Sequence, residues 1–403
     1  MFVTHKIELR TTATQGEYIR RCCGTGRFVY NQLVAKFKSG EKYNRKSFQK
    51  FCSQLRQSTQ WMQQVGSRAV YESADSFHEA ASNFFRTCKN SSGKKWRPPK
   101  FKKRGQRDSC RFSHSDQFSV NGRKLRIQGL KEQISMRERI RFEGKVKSVA
   151  IKPYCGKWYA YFLIEIEECK KSTLPREPSV GIDFGLKSLA VLSNGEVIEN
   201  PRPLKRSLRK LKKLQRRVSR RYVKGAKKQS HRHEKTKAAV ARVHKKVADQ
   251  RSATQHEFTS NIVKRFNRIV IEDLDVNAML KNRRLGKGIK DASWGALRLL
   301  LEYKSKMAGV SLVIADRFFA SSKTCSGCGH RTEKLSLSQR VFNCPCCSLS
   351  LDRDLNAAIN LDHYDSTSRP ITARSKTRGL DQCKTRDNNL AGSPDAANIN
   401  LTS

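Results

Sequence analysis

Acidic side chains are scarce in this chain: 35 Asp and Glu stand against 83 Lys and Arg, a formal charge of +48. A surface this basic repels itself unless a polyanion neutralises it, and nucleic acid, with its phosphates and releasable counterions, is the expected partner. Long apolar runs are absent as well. No stretch of about 18 apolar residues occurs, so no membrane span is expected, and the opening MFVTHKIELR lacks the apolar core of a secretion signal. A disulfide framework is missing too. The 13 cysteines are odd in number, and Cys52, Cys88, Cys110, Cys155 and Cys169 stand singly, which predicts a reducing compartment with these thiols as small buried residues. The hydrophobic fraction of 37% is low for a compact enzyme but too high for a disordered chain. At 403 residues there is room for two to four domains.

What is present sorts into two halves. Residues 1–10 alternate like an edge strand, and helical patterns follow at about 14–37 and 63–89. Residues 90–107, NSSGKKWRPPKFKKRGQR, interleave cations with Trp96 and Phe101 around two prolines. That composition suits phosphate contact and base stacking, or a solvated basic turn. SCRFSH, KLRIQ, SVAIKPY and KWYAYFLIEIE, within 108–170, read as strands that join the first one in a mixed β module with inserted helices; KKSTLPREPS is the expected linker.

From Val180 the pattern changes. VGIDFGLKSLAVLSNGEVIEN reads as two strands, an Asn194-Gly195 hairpin turn and a third strand. Leu204, Leu208, Leu211 and Val218 form one apolar stripe on an otherwise basic helix. A second long helix is expected over about 229–265, then a buried strand in RIVIEDL, a helix in WGALRLLLEYKSKMAG closed by Gly309, and a strand in VSLVIAD. This order is an α/β pattern compatible with a five-stranded RNase H-like core bearing a long helical insertion. The tail from about Asp365 reads as disordered.

Asp183-Phe184-Gly185 and Val149-Ala150-Ile151-Lys152 spell two protein-kinase signatures, but no H-R-D loop separates them and no glycine-rich loop precedes Lys152. The kinase reading fails on order. Asp183 instead lies mid-strand between Gly181 and Gly185, where a carboxylate is costly without a metal or partner. The glycines would let a phosphate backbone approach closely. Glu272 ends the buried run IVIED, and Asp354 opens the short helix DLNAAIN, with Asp352 as a rival. Three acids on separate elements could converge on paired Mg²⁺ or Mn²⁺ ions, the arrangement that hydrolyses phosphodiesters. Taken singly, Glu272 could be a plain strand-end residue and Asp354 a helix cap.

Cys325-x2-Cys328 and Cys344-x2-Cys347 have the spacing of a four-cysteine zinc ribbon, with Gly327 and Gly329 suiting the first knuckle and Pro345 the second. Four cysteine ligands leave no open position, so the zinc would be structural and would fix the segment ahead of Asp354. Cys346, between the second pair, leaves the ligand register open.

GIDFGLKSLAV, VIEDL, ASWGALRLLLEYKSK, SSKTCSGCG, FNCPCC and LDRDLNAAIN together resemble the TnpB family, transposon-encoded RuvC nucleases related to type V CRISPR effectors. The likeness covers most of 180–362; GTGRFVYNQLV, AASNFFRT and KKWRPPKFKKR extend it loosely into the first half. It implies a wedge-type β module at 1–10 and 105–172, a helical recognition domain at 11–104, and a RuvC domain at 178–362 with the zinc ribbon at 320–350. Residues 363–403 would form a disordered tail. It implies Asp183, Glu272 and Asp354 as the catalytic metal ligands, and Cys325, Cys328, Cys344 and Cys347 as zinc ligands. It further implies a monomeric, cytoplasmic, nucleoid-associated ribonucleoprotein that binds a guide RNA from the transposon end and cuts target double-stranded DNA. Where the family usually has glycine after the last cysteine, this chain has Ser348. A guide-independent nuclease or transposase, or an inert nucleic-acid-binding regulator, are the rival expectations.

Overall fold

The computed structural model describes residues 1–365, apart from 42–43, 90–97, 106–107, 168–174, 227, 334 and 337–338. Trp96 and the first part of its basic loop, the first half of the expected linker, Cys169 and the tail beyond 365 lie outside the described residues.

The first half is built on a seven-stranded sheet. Its strands are β1 (Phe2–Arg10), β2 (Cys110–Phe112), β3 (Phe118–Asn121), β4 (Lys124–Ile127), β5 (Ile134–Met136), β6 (Lys145–Tyr154) and β7 (Lys157–Glu165), in the order β2-β6-β7-β1-β5-β4-β3. Every pairing is antiparallel, so the sheet is not mixed. Nor is β1 an edge strand. It pairs with β7 from Phe2 to Leu9 and with β5 at its far end. Its alternation records one buried face (Val3, Ile7 and Leu9) and one open face, a pattern that a central strand of a one-sided sheet shares with an edge. The helices α1 (Ala13–Lys38), α2 (Arg45–Ser58) and α3 (Arg68–Lys89) are inserted between β1 and β2. One side of α1 (Ile19, Cys22, Cys23) packs on the sheet, while Val29, Leu33 and Val34 join α2 and α3 in a separate core around Phe48, Phe77 and Ala81. Of the single cysteines, Cys52 and Cys110 are buried as expected, whereas Cys88 is exposed and Cys155 half-buried. Cys155 and Gly156, both at positive φ, form the two-residue turn between β6 and β7.

Part of the basic loop is described and is tied to α1. Asn31 bonds both the N–H and the carbonyl of Lys102, at 2.7 and 3.0 Å. The Lys102 ammonium lies 3.7 Å from the Tyr30 ring centre, and Lys38 lies 4.8 Å from that of Phe101. In this portion the aromatics serve the protein's own cations.

The second half carries a five-stranded sheet of β8 (Glu177–Phe184), β9 (Ser188–Leu192), β10 (Val197–Glu199), β11 (Phe266–Glu272) and β12 (Ser311–Ala315), in the order β10-β9-β8-β11-β12. β8, β11 and β12 run parallel; β9 and β10 are antiparallel. Between β10 and β11 stand α4 (Pro203–Arg221) and α5 (His231–Arg265). The stripe from Leu204 to Val218 is the less exposed side of α4, with Leu211 buried, and the cations face outward. Two short helices that the sequence pattern did not announce, α6 (Val276–Leu280) and α7 (Gly286–Ala292), precede α8 (Trp294–Ala308). Past the cysteines, the two-stranded β13 (Val341–Asn343) and β14 (Ser350–Asp352) lead into α9 (Arg353–Asp362).

Side chains alternate across a strand, and that alternation layers this half. Val180, Ile182, Ile269 and Ile271 pack toward Phe258 and Ile262 of α5 and Leu297 and Leu301 of α8. The other face, with Gly181, Val270 and Ala315, receives α9. Gly181 is where the helix touches the sheet: a Cβ there would run into the Ala358 carbonyl. Its hydrogen makes room for a helix rather than a phosphate. Gly185 likewise belongs to a tight turn, its N–H bonding Leu189 while the Ser188 carbonyl crowds it. Gly181→Ala should therefore lower stability by about 1–3 kcal/mol through overpacking, read as a shifted urea midpoint; an unchanged midpoint would mean that α9 yields freely.

Candidate metal and nuclease site

Asp183 and Glu272 occupy the face of the sheet that α9 covers. Ile182 and Ile271 are direct partners in the parallel pair, and each acid stands one residue beyond them. The two side chains thus project on one face of neighbouring strands whose backbones lie about 4.8 Å apart, with Asp183 next to last in β8 rather than mid-strand. Asp354 comes from the first turn of α9, and all three acids are half-buried. Asp183 bears the cost. Burial, then the charges of Glu272 and Asp354, push its carboxyl up to about 8, with Arg353 offsetting a part. A proton held that tightly by a carboxyl marks a place where positive charge is in demand.

Asp352 is not an alternative to Asp354. Its Oδ1 accepts the N–H groups of Asp354 and Leu355, at 2.9 and 3.2 Å, and so caps α9. This leaves the carboxylate of Asp354 free of that duty. Glu272 accepts a hydrogen bond from the hydroxyl of Ser321, itself buried. Asn356 and Asn360, one turn apart on α9, both donate to the Thr324 carbonyl, at 2.7 and 2.6 Å, and Asn360 also reaches the Ser321 carbonyl at 2.7 Å. The Ser326 N–H returns a bond to Asn356 at 2.9 Å. These bonds tie the segment bearing Ser321 and the first cysteine knuckle to the helix that presents Asp354. Reading the sequence missed Ser321 and both asparagines as site residues; Asn356 and Asn360 at i, i+4 in DLNAAIN were the available signal, since a buried amide needs partners.

Among the described residues, Cys325, Cys328, Cys344 and Cys347 are the group whose ligand atoms all lie within 4.8 Å of one another; the three carboxylates are spread more widely. The cysteines make a closed sulfur site of the kind that suits zinc. Backbone N–H groups of Cys347 and Cys346 draw the Cys344 thiol down to about 6, so it meets a cation as thiolate. Cys346 contributes this N–H, at 3.4 Å from the Cys344 Sγ, while its own side chain is exposed and outside the cluster. Ser348, at φ 59, adopts the left-handed backbone that glycine would take without strain. Among the described residues, the apolar side chains that pack with the cysteines are only Phe342, Leu335 and Leu349.

Two outcomes follow from these charges. Below about pH 4 Asp183 is protonated folded or unfolded; between there and about 8 the unfolded chain ionises while the folded one does not, so stability declines across that window. Without divalent ions, Asp183→Asn should raise the melting temperature, more at pH 8 than at pH 5, and Mg²⁺ should raise it for the parent chain only. An equal gain at both pH values would remove the charge argument. Stripping zinc should unfold the segment 323–352 and release about one zinc per chain, measured by metal analysis and by proteolysis within 323–352; a chelated protein that stays protease-resistant there would count against the site.

Three family models match the chain: OrfB_IS605, described as "Probable transposase", over residues 161–283; "Cas12f1-like, TNB domain" over 294–361; and the "Helix-turn-helix domain" of OrfB_IS605 over 1–46. A "Putative RNA-guided DNA endonuclease" of Streptomyces pristinaespiralis is 32% identical over 371 residues, spanning 88% of this chain and 87% of its own. InsQ of Escherichia coli K12, with the same description, is 30% identical over 383 residues, spanning 88% and 90%. Among solved structures, that of a Cas12f1-sgRNA-target DNA complex covers 90% of this chain and 99% of its own at 16% identity, with a TM-score of 0.35 that is too low to argue from.

Proposed function

We propose that this chain, which belongs to the TnpB family, is an RNA-guided DNA endonuclease that hydrolyses phosphodiester bonds at a RuvC-type site formed by Asp183, Glu272 and Asp354. One observation carries the reading: two acids on adjacent parallel strand ends face a third on α9, and burial together with the charges of Glu272 and Asp354 holds the Asp183 proton up to about 8. An all-oxygen donor set of this kind suits Mg²⁺ or Mn²⁺. Two such ions, when bound, activate a water and stabilise the leaving oxygen.

The chain's own part is placement. Ser321 fixes one oxygen of Glu272, and Asp352 holds the first turn of α9 so that the Asp354 carboxylate faces the sheet. The β10-β9-β8-β11-β12 order, with Asp183 and Glu272 on its parallel strands, supports the RuvC assignment. In the same reading the seven-stranded sheet is the wedge-type module, α1–α3 the recognition domain and 178–362 the nuclease domain. The guide RNA, from the transposon end, and its DNA duplex supply the phosphates that a +48 chain requires, and pairing rather than side chains reads the sequence. The outward cations of α4, among them Lys212, Arg216 and Arg220, are exposed and suit the wall of that channel. A monomeric, cytoplasmic ribonucleoprotein fits this picture; among the described residues no helix is long and apolar enough to cross a membrane.

The test is cleavage by protein purified with and without RNA from its own locus. Cutting should require RNA and Mg²⁺, and Asp183→Ala should abolish it. Ser321→Ala should lower it roughly 10- to 100-fold, the usual effect of losing a partner behind a metal ligand. Guide-free cutting at the same rate would overturn the RNA-guided reading. The "Probable transposase" description favours one rival, which would join strands as well as cut them.

A further inference from the structure

Phe318 is 84% exposed, the most open large apolar side chain among the described residues. It sits on a loop whose two ends both return to Glu272. The loop leaves from Ala315, the register partner of Glu272 on β12, and closes at Ser321, whose hydroxyl bonds the Glu272 carboxylate. Phe318 is three residues from each end. With a chain reach of about 3.3–3.6 Å per residue and strands about 4.8 Å apart, its backbone must lie within roughly 11 Å of Ala315 and so within roughly 16 Å of Glu272.

The loop is pinned and so is the direction of its apex. The Phe318 N–H donates to the Asp316 side chain at 2.8 Å, and the Phe319 N–H to the Asp316 carbonyl at 3.0 Å. Phe319 turns inward to meet the Tyr364 ring edge-on at 4.9 Å, while the Tyr364 hydroxyl accepts the Asp316 N–H at 3.3 Å. Arg317 is committed to Asp273 at 2.9 Å and Asp275 at 3.6 Å. Its neighbours are all engaged, and Phe318 alone is held out in water. An apolar ring kept there carries a hydration cost that a stacked partner would remove.

We propose that Phe318 is the stacking platform for an unpaired nucleobase of the DNA strand being cut, and so sets where the scissile phosphate lies against Asp183, Glu272 and Asp354. This rests on the nuclease reading above. A base hangs from the sugar next to its phosphate, so a phosphate at the carboxylates brings a flanking base within reach of the ring. Aromatic faces accept any base, which suits an enzyme whose sequence reading is done by a guide. Stacking also requires a base released from its duplex, so the ring favours single-stranded DNA at this site.

The test uses the protein with its copurified RNA and DNA targets carrying 2-aminopurine, scanned along both strands, with Ca²⁺ in place of Mg²⁺ to prevent cutting. Stacking quenches this base. Phe318→Ala should brighten it at one or two positions, and Phe318→Trp should not. With Mg²⁺, Phe318→Ala should raise KM for DNA roughly 5- to 160-fold, the range of one lost stack, and spread cutting over neighbouring phosphates, with Phe318→Trp near the parent. A ring this exposed should leave the melting temperature unaltered. Fluorescence identical in parent and Phe318→Ala at every position would overturn the proposal, as would a fall confined to kcat. If the parent protein cuts nothing, the nuclease reading fails, and the fluorescence comparison still decides whether Phe318 stacks a base.

Discussion

The repulsion among Asp183, Glu272 and Asp354 is what the rest of the second half has to hold. Left alone, three carboxylates on separate elements would drift apart, and α9, which is only ten residues long, is the element free to move. Each feature around it reads as a restraint. Gly181 removes the side chain that would lift α9 off β8, and Leu361 seats it against Val270 and Ala315. At its far end the Arg268 guanidinium bonds the Asp362 carbonyl at 2.7 Å, and Ser193 bonds the Asp362 carboxylate at 3.0 Å. At its near end Asp352 caps it.

The cysteine site belongs to the same restraint, which explains its position in the chain. Its knuckles enclose too small a core to fold on hydrophobic burial, so metal binding would be their folding energy. Through Ser326, Thr324 and the two asparagines that order passes to α9, and through Ser321 to Glu272. A zinc bound there would lie outside the chemistry yet help to set two of the three acids. A buried amide network of this sort is stiff only when complete, since losing one partner strands the others.

Much of this was legible in the sequence because the signals were local. The strand-turn-strand of 180–199, the long helices α4 and α5, the paired C-x2-C motifs and the acids in apolar strand runs each declare themselves within a few dozen residues at most. What stayed hidden depended on contacts between distant segments. Gly181 flanks an acid and so invited a phosphate reading, but only the fold reveals Ala358 above it. The alternation of β1 states that one face is buried and is silent about how many neighbours the strand has. α2 went unread because it buries little beyond Phe48 and Cys52, too few to mark a stripe. Ser321 carries no pattern at all; its role exists only because β12 returns its loop to the end of β11.

Opposite charges are therefore kept in one molecule for one purpose. The cation-rich exterior gathers a polyanion by long-range attraction that weakens with salt, while the centre to which that polyanion is brought is negative and would repel it. In the proposed reading, divalent ions bound there would resolve the conflict, since they would neutralise the acids and offer the phosphate a positive surface. The same ions would lift the cost that Asp183 imposes on folding, so that the site would be most strained when it cannot act. A protein built this way trades stability in the metal-free state for a site already set around its acids, and the restraints on α9 are what make that trade tolerable.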